Sequence, residues 1–386
     1  MPTTLAPPAV ATSSGGLGPE LQTLLLSASA KPLSAELLPA LDWEALVCGA
    51  IAHGLVPQLH RSLAAMPQGT APVFVQRGLD EQQRSIVQRG LRLTATLLEV
   101  HQALTAAGLR ALPYKGPTLS LQLYGDPALR DAVDLDILLP RDQVMAGAEV
   151  LARLGFVPVR DYRPEIRSQL LRYRAEIGLV KDDLLVELQW RLAPKYFSVE
   201  LDFEQLWQRR STITLRDRGL PVLSPEDNLL VLCVHGAKHH WGTLKWLADV
   251  DRLLQTSPGL DWNAAMARAD ALGVRRIVET TLFLCAQLLE TPLPDLIRDR
   301  LRTDPDISRM GAQVQADIAA GAERNEAEHH RFQLALRERR RDRWRYVWRL
   351  VWQPTESEWD AVRLPRALAW LYPVVRLARV AAKALS

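Results

Sequence analysis

The sequence predicts an α+β protein in which a small unit of strands and short helices lies between helical segments. Three features of the apolar pattern indicate this fold. A run without proline, 76–107, repeats its apolar residues at helical spacing. The stretch 109–190 alternates strand-like and helix-like segments, which is typical of a small α/β unit. From Ser224 to the end of the chain the spacing is helical again.

The composition is that of an ordinary globular protein. A length of 386 residues suits two or three structural units, and 48% hydrophobic with 24% charged residues excludes wholesale disorder. The 47 Lys+Arg against 44 Asp+Glu leave a net charge of +3, which by itself does not indicate nucleic-acid binding. The 3 cysteines cannot form a disulfide framework or a four-thiolate zinc site, which favours a reducing compartment.

The N-terminal part is expected to consist of a leader and a helical segment. The leader, 1–18, is rich in Pro, Ala, Ser, Thr and Gly and is predicted to be disordered. It lacks the features of a secretory signal, and no apolar run reaches the roughly 18 residues of a membrane-spanning helix, so we expect a cytoplasmic protein. Helices follow over 19–107, with breaks at Pro32 and Pro57 and with Gly108 as the C-cap of the long helix.

The rest of the chain divides into three predicted segments. The unit of strands and short helices is expected over 108–222, a helical domain over 223–330 and basic helices over 331–386. The predicted strands are 109–115, 132–139, 156–159, 177–180 and 184–190, and the short helices between them are 118–124 and 141–154. In the helical domain Ser224 is a predicted N-cap before Pro225. The helices there are expected at 225–240, 243–255, 262–271 and 274–289.

Two aspartates stand two positions apart on the second predicted strand. Alternate residues of a strand share a face, so Asp134 and Asp136 project together, while Val133, Leu135 and Ile137 are expected to face the core. Neighbouring carboxylates repel unless a cation lies between them, and Mg²⁺ prefers oxygen ligands. The pair indicates a metal platform for phosphoryl or nucleotidyl transfer. The alternative is an acidic pair on an exposed strand face without a ligand.

A glycine and two cations stand near the same strand ends. Gly116 is placed at a strand-to-helix turn, where a bare backbone lets phosphates approach the amide N–H groups of the helix N-terminus. Lys115 and Arg130 supply positive charge suited to a triphosphate. Asp131, beside Arg130, is expected to form a local cap or ion pair. These residues predict a nucleotide-binding turn.

Three blocks of sequence resemble a known family. The stretch ALPYKGPTLSLQLYGDPALRDAVDLDILL, 111–139, resembles the core of the polymerase-beta-type nucleotidyltransferase superfamily, and within it the bacterial family of uncharacterised nucleotidyltransferases. VELQWRL, 186–192, resembles the strand that carries that family's third carboxylate. The segment 224–254, with HGAKHHW and a late Asp, resembles its helical part. The resemblance covers about residues 20–255 and implies a polymerase-beta-type sheet unit flanked by helical segments.

The resemblance also implies a reaction and roles for site residues. A nucleoside monophosphate would pass from a nucleoside triphosphate, ATP by default, to an acceptor, with Mg²⁺ or Mn²⁺ bound. Asp134 and Asp136 would ligate the metal, and Glu187 would complete the carboxylate triad and help deprotonate the acceptor. Lys115 with Gly116 would cradle phosphate.

By the same resemblance Arg130 would contact phosphate. Two positions depart from the family pattern. Lys115-Gly116-Pro117 replaces the Gly-Ser of the wider superfamily and removes a hydroxyl, and Gln189 replaces a common histidine, so the imidazole of a proton relay is absent there.

Glu187 is a charged residue inside an apolar run, 184–190. A charge in such a run is rarely buried without a partner or a purpose, which favours the role of third carboxylate. An exposed strand position is the alternative, and Glu176 and Asp183 are competitors for the role.

His235, Lys238 and His239 lie at i, i+3 and i+4, on one face of a predicted helix. A nucleotide-facing role with Lys238, a purely structural role and a zinc site are three alternatives; zinc needs a third ligand that no spacing supplies. Asp249 is expected either to orient one of these side chains or to take part in packing.

The C-terminal segment 331–386 carries 13 Lys+Arg and 5 Asp+Glu, a local charge of +8. Trp344, Trp348 and Trp352 recur every four residues and therefore form a stripe. Packing of this stripe on the helical core is the favoured interpretation. Contact with an acidic partner or the surface of the inner membrane is the alternative, and RNA contact lacks a recognisable module.

No motif of the sequence identifies the molecule that accepts the nucleotide. We expect a hydroxyl or phosphate of a small molecule or modified peptide, because helical flanks suit a compact pocket. Nucleotidylation of a protein or a transfer RNA, as in toxin-like relatives, is one alternative. A catalytically silent nucleotide-binding protein is the other.

Overall fold

The computed structural model describes residues 17–385 apart from 161–163, 194, 198 and 323. Its architecture is α+β, as predicted: a small mixed sheet with helical segments before and after it. All but the last two residues of the predicted leader, 1–18, lie outside the described residues.

Four helices precede the sheet: α1 (Pro19–Ala28), α2 (Trp43–Ala52), α3 (Val56–Ala64) and α4 (Val73–Ala106). The side chain of Asp42 caps α2 by accepting the amide N–H groups of Glu44 and Ala45. Pro57 stands in the first turn of α3, where its missing N–H costs nothing. Gly108, at a φ of 74°, follows the end of the long helix as predicted.

The sheet unit contains all five predicted strands. Its elements are β1 (Leu112–Pro113), α5 (Gly116–Tyr124), β2 (Asp134–Leu138), α6 (Val144–Arg153), β3 (Val157–Pro158), α7 (Arg167–Tyr173), β4 (Glu176–Lys181), β5 (Leu184–Gln189), α8 (Phe203–Arg209), β6 (Ser211–Leu215) and β7 (Arg218–Val222). The two outer strands, β1 and β3, are shorter than predicted. The helices α7 and α8 and the separate hairpin β6–β7 were not predicted.

The five-stranded sheet has the order β1-β2-β5-β4-β3. Its two central strands, β2 and β5, run parallel, and the other neighbours are antiparallel. The register places Asp136 beside Glu187 and Leu138 beside Gln189. Across the next pair Glu176 lies beside Gln189.

The two faces of the sheet differ in chemistry. One face is apolar and packs against α4 and α6; its buried residues include Leu135, Ile137, Ile177, Leu179, Val186 and Leu188. Because side chains alternate along a strand, the other face carries Asp134, Asp136, Glu187, Gln189 and Glu176. The prediction that Val133 faces the core is wrong: Val133 precedes β2 and is exposed.

The helices after the sheet are α9 (Pro225–Lys238), α10 (Leu244–Thr256), α11 (Trp262–Leu272), α12 (Arg275–Leu288), α13 (Asp295–Thr303), α14 (Pro305–Ala320), α15 (Glu326–Ala335), α16 (Arg340–Trp352), α17 (Glu356–Ala361) and α18 (Tyr372–Leu385). The first four match their predicted ranges to within two residues. Ser224 caps α9 by accepting the amide N–H of Asp227. The helices α9–α14 share one core with α1–α3, which includes Leu46, Leu59, Leu232, Leu247 and Leu282.

The C-terminal helices pack only in part. Trp359 is buried, but Trp344, Trp348 and Trp370 are exposed, so the favoured packing of the tryptophan stripe is wrong for the first two of its three members. The reason is that α16 buries Asp342 and Tyr346, which lie two residues out of phase with the exposed tryptophans and hence on the opposite face. Among the described helices none is both long and apolar enough to cross a membrane.

Candidate active site

The carboxylates predicted for the site converge on the polar face of the sheet. Parallel neighbours lie about 4.8 Å apart, so the register of β2 with β5 sets the side chains of Asp136 and Glu187 next to each other. Asp136 is buried, 3% exposed, and Asp134 and Glu187 are half-buried. Glu187, the charged residue of the apolar run 184–190, therefore belongs to a cluster of acidic side chains.

Gln189 links two of these carboxylates. Its Nε2 donates to Asp136 Oδ1 at 2.7 Å and to Glu187 Oε2 at 2.8 Å. Its Oε1 accepts a hydrogen bond from the hydroxyl of buried Tyr114, which fixes the direction of the amide. An imidazole has only one N–H to donate when neutral, whereas this amide donates to both acids at once. Gln189, which stands where the family commonly has a histidine, therefore holds the carboxylates of Asp136 and Glu187 in place.

The two competitors for the third carboxylate lie at opposite ends of the hairpin β4–β5. Glu176 stands beside Gln189 on the polar face, close enough to raise the pKa of Glu187. Asp183 lies in the turn and forms an exposed ion pair with Arg92. The structure therefore brings Glu187 and Glu176 to the aspartate pair and leaves Asp183 away from it.

Burial and mutual repulsion perturb this cluster. Burial, followed by the charge of Asp136, raises the pKa of Asp134 to about 6. Burial, followed by the charge of Glu176, raises the pKa of Glu187 to about 8. Lys115 contacts the cluster directly, with its Nζ 3.3 Å from Asp136 Oδ1, and the charges of Arg130 and Lys245 also act on Asp134. These raised pKa values follow from burial and from the repulsion between neighbouring acids, and a cation bound between them would relieve that repulsion.

The turn at Lys115-Gly116 connects β1 to α5 and requires glycine. Gly116 has a φ of 60°, and a Cβ there would lie 2.9 Å from the backbone oxygen of Asp134. The bare backbone is thus needed for its close approach to β2 beside the aspartates. Contact of Lys115 and Gly116 with phosphate stays a prediction.

Arg130 forms a buried ion pair. Its Nε and Nη2 donate to the carboxylate of Asp249 on α10 at 2.9 to 3.0 Å. Asp249 therefore orients Arg130 and not one of the residues His235, Lys238 or His239. Asp131 forms an ion pair, but its partner is Arg89 on α4, far away in the sequence, so the expectation of a local cap or local pair is wrong. Phosphate contact by Arg130 stays a prediction.

The chain matches a family model described as "Uncharacterised nucleotidyltransferase" over residues 39–290, about two thirds of its length. This match includes the whole polar face of the sheet and the helices α9 and α10.

The chain belongs to this family of nucleotidyltransferases. It is an enzyme of nucleotidyl transfer, as the resemblance implied.

One solved structure with some similarity is the crystal structure of an antigenic nucleotidyltransferase-like protein from Paracoccidioides brasiliensis. The TM-score is 0.33 and the sequence identity 16%, over 52% of this chain and 93% of that chain. A likeness this weak adds nothing about the present protein. No curated protein matches the chain.

Nucleotidyltransferases use a nucleoside triphosphate and a divalent metal ion, and the donors at this site suit such an ion. Within the described ranges no three His, Cys, Asp or Glu side chains are arranged to hold an ion by themselves. Mg²⁺, however, is often bound by one or two carboxylates together with substrate phosphates. The oxygens of Asp134, Asp136 and Glu187 are hard donors, and the repulsion between them, which helps to raise the pKa values of Asp134 and Glu187, would be relieved by a bound cation. These residues therefore fit a hard divalent cation.

The helix face of His235, Lys238 and His239 reaches the acidic cluster through its lysine. Burial lowers the pKa of Lys238, while the charges of Glu176, Glu187 and Asp136 oppose that shift.

The two histidines of this face pack around an indole. The ring centroids of His235 and His239 lie 5.4 and 5.0 Å from that of Trp246. Burial holds the pKa of His235 well below its ordinary value, so it is neutral. No third metal ligand joins the pair among the described residues, and the packing favours the structural alternative.

The sequence did not reveal two residues of this nucleotidyltransferase site. Tyr114 stands between the short edge strand β1 and Lys115, and this position gives no sign that its hydroxyl supports Gln189. Lys245 donates to the backbone oxygen of Asp131 at 3.0 Å, and burial lowers its pKa. Its spacing of four residues before Asp249 on α10 is the signal that could have pointed to it.

Proposed function

We propose that the protein transfers a nucleoside monophosphate from ATP to a hydroxyl or phosphate of a small-molecule or modified-peptide acceptor, with Mg²⁺ bound at the acidic cluster. The observation that carries this proposal is the in-register pair Asp136 and Glu187, with Asp134 two residues earlier on the same face. Three carboxylates on the polar face of two neighbouring strands form a donor set that suits nucleotidyl transfer.

The reaction needs one bond made and one broken. The acceptor oxygen forms a bond to the α-phosphorus, the bond from that phosphorus to the bridging oxygen of pyrophosphate breaks, and pyrophosphate leaves with the electron pair. Glu187 accepts the proton of an acceptor hydroxyl. A metal ion held by Asp134, Asp136 and Glu187 would neutralise negative charge on the phosphates.

Cations of this chain suit the triphosphate. Lys115 lies against Asp136 and is the cation nearest to the carboxylates, so we assign it to a phosphate oxygen. Lys238 approaches the cluster from α9 and is the second candidate. A compact acceptor is supported by the helices α9 and α10, whose Lys238 and Lys245 lie close enough to the acidic cluster to act on its charges. We place this activity in the cytoplasm, where ATP is abundant.

The proposal is tested by thermal unfolding with each of the four common nucleoside triphosphates, with and without Mg²⁺. We expect ATP with Mg²⁺ to raise the melting temperature of the wild type and to leave that of Asp134→Ala/Asp136→Ala unchanged. Asp183→Ala is the matched control, since its carboxylate is exposed at the far end of the hairpin and should keep the wild-type rise. An equal rise in the double variant would refute the proposed metal site.

A further inference from the structure

Helix α16 presents an apolar face to solvent. Trp344, Val347, Trp348 and Val351 stand at i, i+3, i+4 and i+7 and so share one side of the helix, here named the α16 face. Trp344 is 75% exposed and Trp348 64% exposed, and both valines are exposed as well. A contiguous exposed patch of this kind marks a surface that meets a partner or a membrane.

Two cavities border the α16 face, one at each end. The first, about 490 Å³, extends from Trp344 and Val347. Its charged lining consists of Arg276, Arg309, Arg343 and one acid, Asp306. The second, about 260 Å³, extends from Trp348. Its lining consists of Arg172, Tyr173, Lys195, Arg349, Trp352 and Gln353 in addition to that tryptophan.

The second cavity holds more positive than negative charge. Arg349 pairs with Glu200 at 2.9 Å, but Arg172 and Lys195 have no carboxylate partner in the part of the chain that the structure describes. Both instead lie over the ring of Tyr173, at 5.4 and 5.9 Å from its centroid. Burial and the neighbouring guanidinium groups lower the pKa of Lys195. An anion in this cavity would be stabilised by the unpaired cations.

We propose that the α16 face docks on the surface of an anionic membrane. Its tryptophan and valine side chains would enter the headgroup boundary, where the amphipathic indole ring is favoured. The cations of the two bordering cavities would meet the phosphates of anionic lipids, since basic residues are attracted to such a surface. The local charge of +8 in 331–386, against −5 in the preceding residues, orients the molecule with this side toward the lipid.

Charge argues against a second copy of the chain as the occupant. A twofold interface places the same patch of both subunits face to face, so the arginines around the α16 face would meet one another. Helix α16 alone carries five arginines and one aspartate. A nucleic acid would satisfy the cations but would leave Val347 and Val351 without an apolar contact. An anionic bilayer offers both kinds of contact.

The experiment is co-sedimentation of the full-length protein with vesicles. We expect binding to vesicles of phosphatidylcholine mixed with phosphatidylglycerol at low salt, weaker binding at high salt and little binding to pure phosphatidylcholine. Trp344→Ala/Trp348→Ala should reduce the affinity about tenfold or more. Phe74→Ala/Leu296→Ala, which removes two exposed apolar side chains elsewhere, is the matched control and should bind as the wild type does.

A second variant tests the cavity. Arg172→Gln/Lys195→Gln should weaken binding to the anionic vesicles and reduce its salt dependence, with an unchanged melting temperature. The proposal is overturned if anionic vesicles do not bind the wild type, or if both double variants bind as strongly as it does. Two other results would also overturn it. In one, Trp344→Ala/Trp348→Ala keeps vesicle binding and loses self-association, measured by sedimentation velocity. In the other, it keeps vesicle binding and loses binding to an oligonucleotide. Because neither variant touches the carboxylates, the rise in melting temperature with ATP and Mg²⁺ should persist in both.

Discussion

At the scale of single residues, Glu187 is the side chain whose chemistry is most specific. It is held beside Asp136 by the sheet register and by the amide of Gln189. Glu187→Gln keeps the shape and an oxygen donor but removes the proton acceptor. We expect this variant to fold and to bind ATP with Mg²⁺, while turnover falls by about 10²-fold or more.

The measurement is the rate of pyrophosphate release, with Glu176→Gln as the control. If Glu187→Gln is fully active and Glu176→Gln is not, the role of third carboxylate belongs to Glu176.

Gly116 is the second residue with a sharp prediction. A side chain there meets two penalties: a left-handed φ and a Cβ only 2.9 Å from the oxygen of Asp134. Gly125, at the other end of α5, has a φ of 73° but open space around it, so Gly125→Ala measures the strain alone. We expect Gly125→Ala to cost about 1 kcal/mol of unfolding free energy and Gly116→Ala about 1–3 kcal/mol more. Urea unfolding of both variants checks this, and equal costs would contradict the close approach.

At the scale of elements, α10 is tied to the segment between α5 and β2 by the pair Arg130 and Asp249. Both side chains are buried, so removing one leaves the other charge unpaired. Asp249→Ala is expected to destabilise the protein by about 3–5 kcal/mol. The apolar double variant Arg130→Met/Asp249→Leu should cost clearly less, because no charge is left alone.

Urea unfolding of Arg130→Met, Asp249→Leu and the double variant completes a double-mutant cycle. The cycle gives the free energy of interaction between the two side chains. Additive costs would show that the ion pair does not join the two elements.

The sequence predicted helices and strands correctly where an apolar pattern repeats. It failed where contacts with the rest of the chain determine the structure. The strand β2 is indicated by the alternation of its residues, and the aspartate pair by its spacing on that strand. The hairpin β6–β7 was missed, since its turn uses Arg216 and Asp217 at positive φ where glycine or asparagine is the usual signal. The identity of the neighbour across the sheet is a property of register, so the Glu187, Gln189 and Tyr114 network could not be derived from sequence alone.

The tryptophan stripe shows the same limit for a helix. A spacing of four residues establishes that Trp344 and Trp348 share a side of α16, but not which side is buried. Asp342 and Tyr346 repeat at the same spacing and are the pair that α16 buries. Only the packing of the whole chain decides between two such faces.

At the scale of the whole molecule, a buried histidine between helices makes stability depend on pH. His53 follows α2 and accepts the amide N–H of Leu244 at the start of α10. Burial lowers the pKa of His53 from 6.5 to about 4. Because the folded value lies below the unfolded one, the unfolded state binds the proton first, and stability is lost as the pH falls from 6.5 towards 4.

The loss from this residue is about 3 kcal/mol when complete. His53→Gln keeps an acceptor for the N–H of Leu244 and removes the titration. Its unfolding free energy should therefore fall less than that of the wild type between pH 7 and about pH 4.5. Parallel curves for the two proteins would show that His53 does not contribute.

The central claim, nucleotidyl transfer by the acidic cluster, is tested most directly by following two labels on ATP. The enzyme is incubated with Mg²⁺, a small-molecule extract and ATP labelled at either the α- or the γ-phosphate. The mechanism predicts that the α-label enters the acceptor and the γ-label leaves in pyrophosphate, and that Asp134→Ala/Asp136→Ala does neither. Transfer of the γ-label to the acceptor, or its release as inorganic phosphate, would contradict the claim.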